Sequence, residues 1–140
     1  MTNQLVDKEN PILKRTALEV PHRENKINLI HGMIQVMKKR GGIGLAAPQV
    51  GISQRVIIIR FGDDAQEIIN PVIIKRYGGQ SSQMEGCLSF PNQEVKKKRY
   101  KRIKVEGYDL DWQRVSLKLS GLEARCVQHA VDHLNGITIK

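Results

Sequence analysis

The sequence predicts an α+β fold in which mixed, mostly antiparallel strands surround a helix near the C-terminus. Two observations support this prediction. Segments rich in β-branched residues are spread between residues 55 and 119, and helical patterns lie on either side of them. With 140 residues, of which 40% are hydrophobic and 26% charged, the chain is expected to form a single domain over 1–140.

The first predicted helix spans residues 24–40. Its apolar residues recur at helical spacing and form one face, which contains Ile27, Ile30, Met33, Ile34 and Met37. Basic residues at 38–40 suit the negative end of the helix dipole, and Gly41-Gly42 is expected to end the helix. Pro11 and Pro21 punctuate the preceding segment, so we expect residues 1–20 to form an extended or loosely packed arm.

Strands are predicted where apolar and β-branched residues cluster or alternate. The predicted strand segments are 55–60 (RVIIIR), 68–70, 72–77, 99–108 and 114–119. Pro71 separates the second segment from the third, residues 78–83 (GGQSSQ) read as a loop, and 109–113 read as a hairpin connection.

A glycine-rich segment, GIGLAAPQ at 42–49, precedes these strands. Glycine within a strand often marks close approach of a ligand or of another backbone. The alternative is an irregular turn after a helix, and the segment by itself leaves both open.

The last helix is predicted from Ser120, which begins a capping-box pattern with Glu123 three residues later. Asn135-Gly136 supplies its C-terminal stop. One face of this helix contains Leu122, Cys126, His129 and His133.

His129 and His133 are four residues apart, so both imidazoles can reach one metal ion from the same helix face. The hydrolytic form of this spacing is H-E-x-x-H, in which Glu acts as general base, and here Ala130 occupies the Glu position. The alternative is two packed or surface histidines, because any helix can produce this spacing by chance.

A catalytic metal site needs a third protein ligand. The candidates are Cys87, Cys126, Glu85 and Asp132. Asp132 points about 100° away from His133 on the helix, so a solvent-exposed or supporting role suits it better. A Cys-His-His set would leave a fourth tetrahedral position for water, as catalytic sites do.

Positive charge is concentrated in one run. The net charge is +9, and seven of the nine residues from Lys96 to Lys104 are basic. Such a run can attract RNA or another polyanion, or it can be the solvated face of an exposed strand. No apolar run reaches transmembrane length and no signal peptide is evident, so a cytosolic or organelle-matrix location is expected. Cys87 and Cys126 could form one disulfide, but a reducing compartment favours a metal ligand or a buried thiol.

Three ordered motifs carry a family resemblance: GIGLAAPQ at 42–49, EGCLS at 85–89 and QHAVDH at 128–133. They closely resemble the peptide deformylase motifs GφGφAAxQ, EGCφS and QHExDH, where φ is apolar. The first two match at every specified position, and the third departs only at Ala130. The matching region covers most of the chain.

The resemblance implies that Cys87, His129 and His133 are the metal ligands. The metal expected is Fe(II), with Zn, Ni or Co as replacements. The implied substrate is the N-formyl-methionyl end of nascent polypeptides, and the implied products are formate and a free amino terminus. The family therefore implies a role in protein biosynthesis and N-terminal methionine processing.

The resemblance also implies roles around the metal. The Gln49 side-chain amide and the Leu88 backbone N–H correspond to donors that stabilise the oxyanion. Residues implied in binding the peptide or its methionine side chain are Ile43, Gly44, Glu85, Gly86, Leu122, Arg125 and Cys126. Arg99 is expected to pair with Glu85 and brace the EGCLS segment.

Ala130 departs from the family at the proton-transferring Glu. A general acid–base group contributes about 10²–10⁴ in rate, so we expect metal and peptide binding to survive and turnover to be severely reduced. Because every other motif residue is intact, we favour a deliberate substitution that traps a bound ligand over drift in a lineage that abandoned catalysis.

The sequence stops soon after the motif helix, as in short family members such as those of phages, so contact with the ribosome is expected through Lys96 to Lys104 rather than a C-terminal extension. We expect a monomer with no membrane association. The main alternative function is a non-catalytic, metal-containing peptide-binding protein. A zinc endopeptidase would not need EGCLS, and a nucleic-acid-binding module explains only the charge.

Overall fold

The computed structural model describes residues 4–139. Two helices and five strands make up its regular structure: α1 Ile27–Lys39, β1 Gly44–Ala46, β2 Val56–Phe61, β3 Asp64–Cys87, β4 Phe90–Tyr108, β5 Arg114–Ser120 and α2 Gly121–Leu134. Short 3₁₀ turns occupy Pro11–Lys14 and Ala47–Val50. The predicted α+β class is confirmed.

All five strands form one sheet in the order β1-β2-β3-β4-β5, and every neighbouring pair is antiparallel. β1 is therefore an edge strand with one unpaired side. The long β3–β4 hairpin closes at Cys87 and Phe90, so its turn carries Leu88 and Ser89.

β2 explains how the two helices are placed. Ile57 and Ile59 pack in the cluster that contains α2, whereas Val56 and Ile58 pack in the cluster that contains α1. Successive side chains of a strand point to opposite faces, and a strand covered on both faces needs the unbroken apolar run seen here. Each such side chain contributes roughly 1.5–3 kcal/mol by leaving water.

The N-terminal arm was expected to be extended or loosely packed, and the loose packing is wrong for the described part of residues 1–20. Leu13, Ala17 and Val20 are buried, and the Ala17 N–H donates to the Leu134 carbonyl at 2.8 Å. These apolar residues are too widely spaced to show helical or strand periodicity, so their burial could not be predicted from pattern.

The strand pieces 68–70 and 72–77 belong to a single strand, and the loop predicted at 78–83 is wrong. β3 continues through Pro71 and through the glycines at 78–79, because its pairing with β4 shifts between Ile69 and Val72 and again between Tyr77 and Gln80. Two consecutive glycines at the second shift have φ of +80° and +79°, a conformation that glycine adopts without steric cost.

The last helix begins and ends where the sequence predicts, but the capping box does not form. Ser120 is the N-cap residue without a side-chain cap bond. It is also the last residue of β5, and Gly121 turns the chain into the helix with φ +60°. Among the helices of the described residues, none has the length and apolar character needed to cross a membrane.

Candidate functional site

Cys87, His129 and His133 come together where the β3–β4 turn meets α2. One potential ligand atom from each residue lies within 4.8 Å of the others. The Cys87 Sγ and His133 Nε2 are 3.2 Å apart, and the two imidazoles stack with ring centroids 5.0 Å apart. Both cysteines are free thiols.

This donor set fits a divalent metal ion. His133 turns its Nε2 toward Cys87, and His129 Nε2 is buried with no hydrogen-bond partner among the described residues, although buried polar atoms normally have one. Burial lowers the pKa of His129. Burial also lowers the pKa of His133, to about 3, and the neighbouring His129 and Arg99 add to that decrease. Both rings are therefore neutral at pH 7, the form that binds metals.

Burial also raises the pKa of the Cys87 thiol, with Glu85 adding to the increase. A metal ion reverses this preference, because a coordinated thiol is deprotonated by the ion's charge. Metal affinity at this site is therefore expected to depend on pH through Cys87.

Gln49 points its amide toward this group. Its Oε1 accepts the Ala46 N–H at 2.9 Å, and its Nε2 donates to the Ser89 hydroxyl at 3.0 Å and contacts the Cys87 Sγ at 3.5 Å. The first bond fixes the side chain so that its N–H groups face the cleft.

A buried ion-pair network supports the site from behind. The Glu85 carboxylate accepts from Arg99 at 3.0 Å and from Arg125 at 2.8 Å, and Arg99 also donates to Asp132. The expected Glu85–Arg99 pair is therefore present. His129 Nδ1 lies 3.8 Å from Glu85, so the network reaches a histidine of the candidate metal group.

The site forms the floor of a cleft of about 650 Å³. The residues to which the sequence assigned catalytic, substrate-binding or metal-binding roles all line this cleft: Ile43, Gly44, Gln49, Glu85, Gly86, Cys87, Leu88, Leu122, Arg125, Cys126, His129, Ala130 and His133. The structure thus brings the residues together, and their roles remain predictions.

Two of these residues also make contacts besides lining the cleft. Arg125 lines the cleft, and its guanidinium donates to Glu85 and to the Ser81 and Lys97 carbonyls. Gly44 leaves room for α2, because a Cβ there would lie 2.6 Å from the Cys126 Sγ.

Sequence reasoning did not assign roles to Ser89, which accepts from Gln49, or to the second wall of the cleft at 91–94. Ser89 lies inside EGCLS and could have been singled out. The wall could not, because it faces the site only through the β3–β4 pairing.

The fold and the site define an α+β protein with a candidate metal centre at the floor of a cleft, beside an edge strand. The polypeptide deformylase family model matches residues 2–140. The peptide deformylase of Dictyoglomus thermophilum is 45% identical over 131 residues, covering 93% of this chain and 85% of that protein.

Solved structures agree with this. A deformylase from the Vibrio parahaemolyticus bacteriophage VP16T, in complex with actinonin, has a TM-score of 0.93 and 43% identity, covering 97% of this chain and 99% of that chain. The Thermotoga maritima peptide deformylase has a TM-score of 0.93 and 39% identity, and the match covers 99% of this chain and 95% of that chain. The chain belongs to the peptide deformylase family, whose members are metal-binding hydrolases of protein biosynthesis.

Proposed function

We propose that this chain binds N-formyl-methionyl peptides at a divalent metal centre and removes the formyl group, with turnover strongly reduced by Ala130. The observation that carries the proposal is the meeting of Cys87, His129 and His133 with the Gln49 amide at the floor of one cleft.

The edge strand β1 suits the binding of an extended peptide. One side of β1 pairs with β2, and Gly44 and Leu45 of this strand line the cleft together with Glu85 and Gly86. An added strand would pair with the side of β1 that faces away from β2, at Gly44, because the Ile43 carbonyl already accepts from the Arg60 N–H at 2.9 Å. Peptide binding is supported by a relative: a deformylase from Acinetobacter baumannii, with 33% identity and a TM-score of 0.89, has been crystallised with Met-Ala-Ser bound.

The methionine side chain would enter the apolar part of the cleft, between Ile43 and the exposed end of α2. Leu122 and Cys126 lie one turn apart on that helix and both line the cleft. Leu122 is 57% exposed, so a bound side chain would remove apolar surface from water.

Gln49 and Leu88 would act on the formyl oxygen. The Gln49 amide is already held by Ala46 and Ser89, and donors fixed in this way stabilise developing negative charge without reorganising. We assign the Leu88 backbone N–H as the second donor.

Cys87, His129 and His133 would hold the metal, Fe(II) by family resemblance, with Zn or Ni as substitutes in purified protein. Bound there, the ion would supply Lewis acidity and activate water. Glu85, Arg99 and Asp132 would position His129.

Ala130 lies at the position of the family's general base, faces the cleft and is 5% exposed. A methyl group cannot accept or deliver a proton. Water activation and protonation of the leaving amine would therefore have no side-chain partner at this position, which is the reason for the expected low turnover.

Replacing Ala130 by Glu tests the proposal. We expect formate release from formyl-Met-Ala-Ser to rise by about 10²–10⁴-fold, the contribution of a general acid–base group. Ala130→Gln is the matched control, since it has similar volume without a titratable proton, and it should remain slow. Background formate release by a folded, metal-loaded Ala130→Glu variant would overturn the proposed activity.

A non-catalytic peptide-binding protein is the second candidate, and Ala130 is the observation in its favour. Titration of the metal-loaded chain with formyl-Met-Ala-Ser and with Met-Ala-Ser separates the two functions. A slowed enzyme should bind the formylated peptide at least as tightly, whereas a specialised binder should prefer the free amine.

The remaining assignments follow from the substrate. A protein acting on nascent chains belongs in a compartment that contains ribosomes, so we propose the cytoplasm of a bacterium or of a phage-infected host, with an organelle matrix as the alternative. We propose one domain and a monomer, which sedimentation of the metal-loaded protein would test.

A further inference from the structure

The basic residues of this chain are arranged by strand pairing rather than by their run in the sequence. Ile103 pairs with Leu119, and both are buried, so this face of the sheet points into the core. The adjacent pair, Lys104 and Lys118, therefore points to the outer face. Lys75 pairs with Lys104 from the other side and completes the row.

Lys75, Lys104 and Lys118, called the lysine row, thus cross three neighbouring strands on one surface. Strands in a sheet are about 4.8 Å apart, so the row places three ammonium groups across a width of roughly 10 Å. Lys75 and Lys118 are exposed and Lys104 is half-buried.

The row is unfavourable for the isolated protein, because like charges directly opposite each other destabilise a strand pair. Among the described residues, no ion pair involves a lysine of the row. The acid in the adjacent row, Glu106, is already bonded to Arg114 at 2.9 Å. An external anion would relieve this repulsion.

The next row adds a cation and an aromatic ring. Arg102 pairs with Tyr77, and the Lys75 Nζ lies 4.9 Å from the Tyr77 ring centroid. Aromatic rings beside cations are the usual elements of surfaces that bind flexible nucleic acids, where bases stack while phosphates meet the charges.

The run from Lys96 to Lys104 is only partly available for such contact. Arg99 is 7% exposed and is bonded to Glu85 and Asp132. The basic surface instead contains Lys75 and Lys118, which lie outside the run in the sequence and beside Lys104 in the sheet.

We propose that the lysine row, with Arg102 and Tyr77, is a docking surface for the phosphate backbone of RNA. The choice of RNA among polyanions rests on the proposed function, because nascent chains emerge from the ribosome, which is rich in RNA. The surface is the outer face of the sheet, whereas the cleft is lined by β1, α2 and the β3–β4 turn, so docking leaves the cleft free.

Fluorescence anisotropy with a fluorescein-labelled 20-nucleotide oligouridine tests the docking surface. The test variant is Lys75→Gln/Lys104→Gln/Lys118→Gln. The control, Lys8→Gln/Lys14→Gln/Lys39→Gln, removes three exposed lysines outside the row and gives the same net charge of +6, down from +9.

We expect the row variant to bind at least tenfold more weakly in 50 mM salt and the control within about threefold of the unmodified chain. The slope of log K against log salt should become shallower by about 2 in the row variant, at roughly 0.7 per single-strand phosphate contact. Thermal melting should show both variants folded, with the row variant no less stable.

If both variants bound RNA equally weakly, binding would depend on net charge alone and not on the lysine row, which would overturn the proposal. So would the absence of RNA binding at low salt, or row-dependent binding to phosphatidylserine vesicles alone. Placing the row substitutions in the Ala130→Glu background should leave formate release from free formyl-Met-Ala-Ser unchanged, so failure of this inference is distinguishable from failure of the proposed function.

Discussion

Cys126 shows how one side chain depends on its surroundings more than on its type. The thiol packs against Gly44 in the wall of the cleft, and burial raises its pKa to about 12. Its cysteine chemistry is thereby suppressed, because the thiolate is the reactive form.

This shift predicts a loss of stability at alkaline pH. The folded state holds the proton more tightly, so the stabilisation is complete below pH 9 and is lost as the pH rises from about 9 toward 12. Denaturant titration of the metal-free protein should show the free energy of unfolding falling over this range. The free energy of unfolding of Cys126→Ala should fall less steeply, since of the two thiols only Cys87 then contributes. Parallel curves for the two proteins would contradict the shift.

Arg99 illustrates the same dependence for a charged residue. Its sequence neighbours belong to a basic run, but its guanidinium is buried beside Glu85, the partner that the family resemblance predicted, and it also pairs with Asp132. An unpaired buried carboxylate costs several kcal/mol, so these charges are retained as a unit.

The helix α2 carries both histidines, and its C-terminal end is tied down by other elements. Arg55 donates to the Leu134 carbonyl at 3.0 Å and to the Asn135 side chain at 2.9 Å. Gly136 then turns with φ +74° against the N-terminal arm, where its Cα faces the Lys14 carbonyl.

Gly136→Ala should therefore destabilise the protein. The added Cβ would lie 2.6 Å from the Lys14 oxygen, and φ is also unfavourable for alanine. We expect a loss of about 2–4 kcal/mol, of which roughly 1–2 kcal/mol comes from the backbone conformation alone. Chemical denaturation measures this loss.

Gly62→Ala is the control for that measurement. Gly62 has φ +60°, and no atom of residues 4–139 lies within 4 Å of an added Cβ. Gly62→Ala should lose only the roughly 1–2 kcal/mol of stability that comes from the backbone conformation. Equal losses in the two variants would mean that the arm does not pack tightly against the end of α2.

Across the whole molecule, the candidate metal centre joins elements that are distant in sequence. Cys87 belongs to β3, whereas His129 and His133 belong to α2. A ligand that binds only the folded state stabilises it, by about 2.7 kcal/mol at a concentration one hundred times Kd.

Metal removal should accordingly lower the melting temperature, and adding back Co(II) or Zn(II) should restore it. Cys87→Ser is the matched variant, because it keeps the size of the side chain while losing the thiolate. Its melting temperature should respond much less to the metal. If chelation left the melting temperature of the unmodified chain unchanged, these residues would not hold a metal in the folded protein.

The sequence by itself determined the class of fold, the family and most residues of the candidate site, but not Ser89 or the wall of the cleft at 91–94. Helical spacing placed His129 and His133 on one face, and the order of three short motifs added Cys87 and Gln49. These features are local or rest on residue identity, so they are readable along the chain.

Only the tertiary structure decided how these residues face one another and which charges are free. The β3–β4 pairing carries the chain through Pro71 and two glycines where local propensity predicts breaks, because ladder hydrogen bonds and bulges accommodate them. The same pairing buries Arg99 beside the site and aligns Lys75, Lys104 and Lys118 on the outer face. The register of β3 against β4 also depends on several bulges along the hairpin, so these alignments could not be predicted from the sequence of either strand alone.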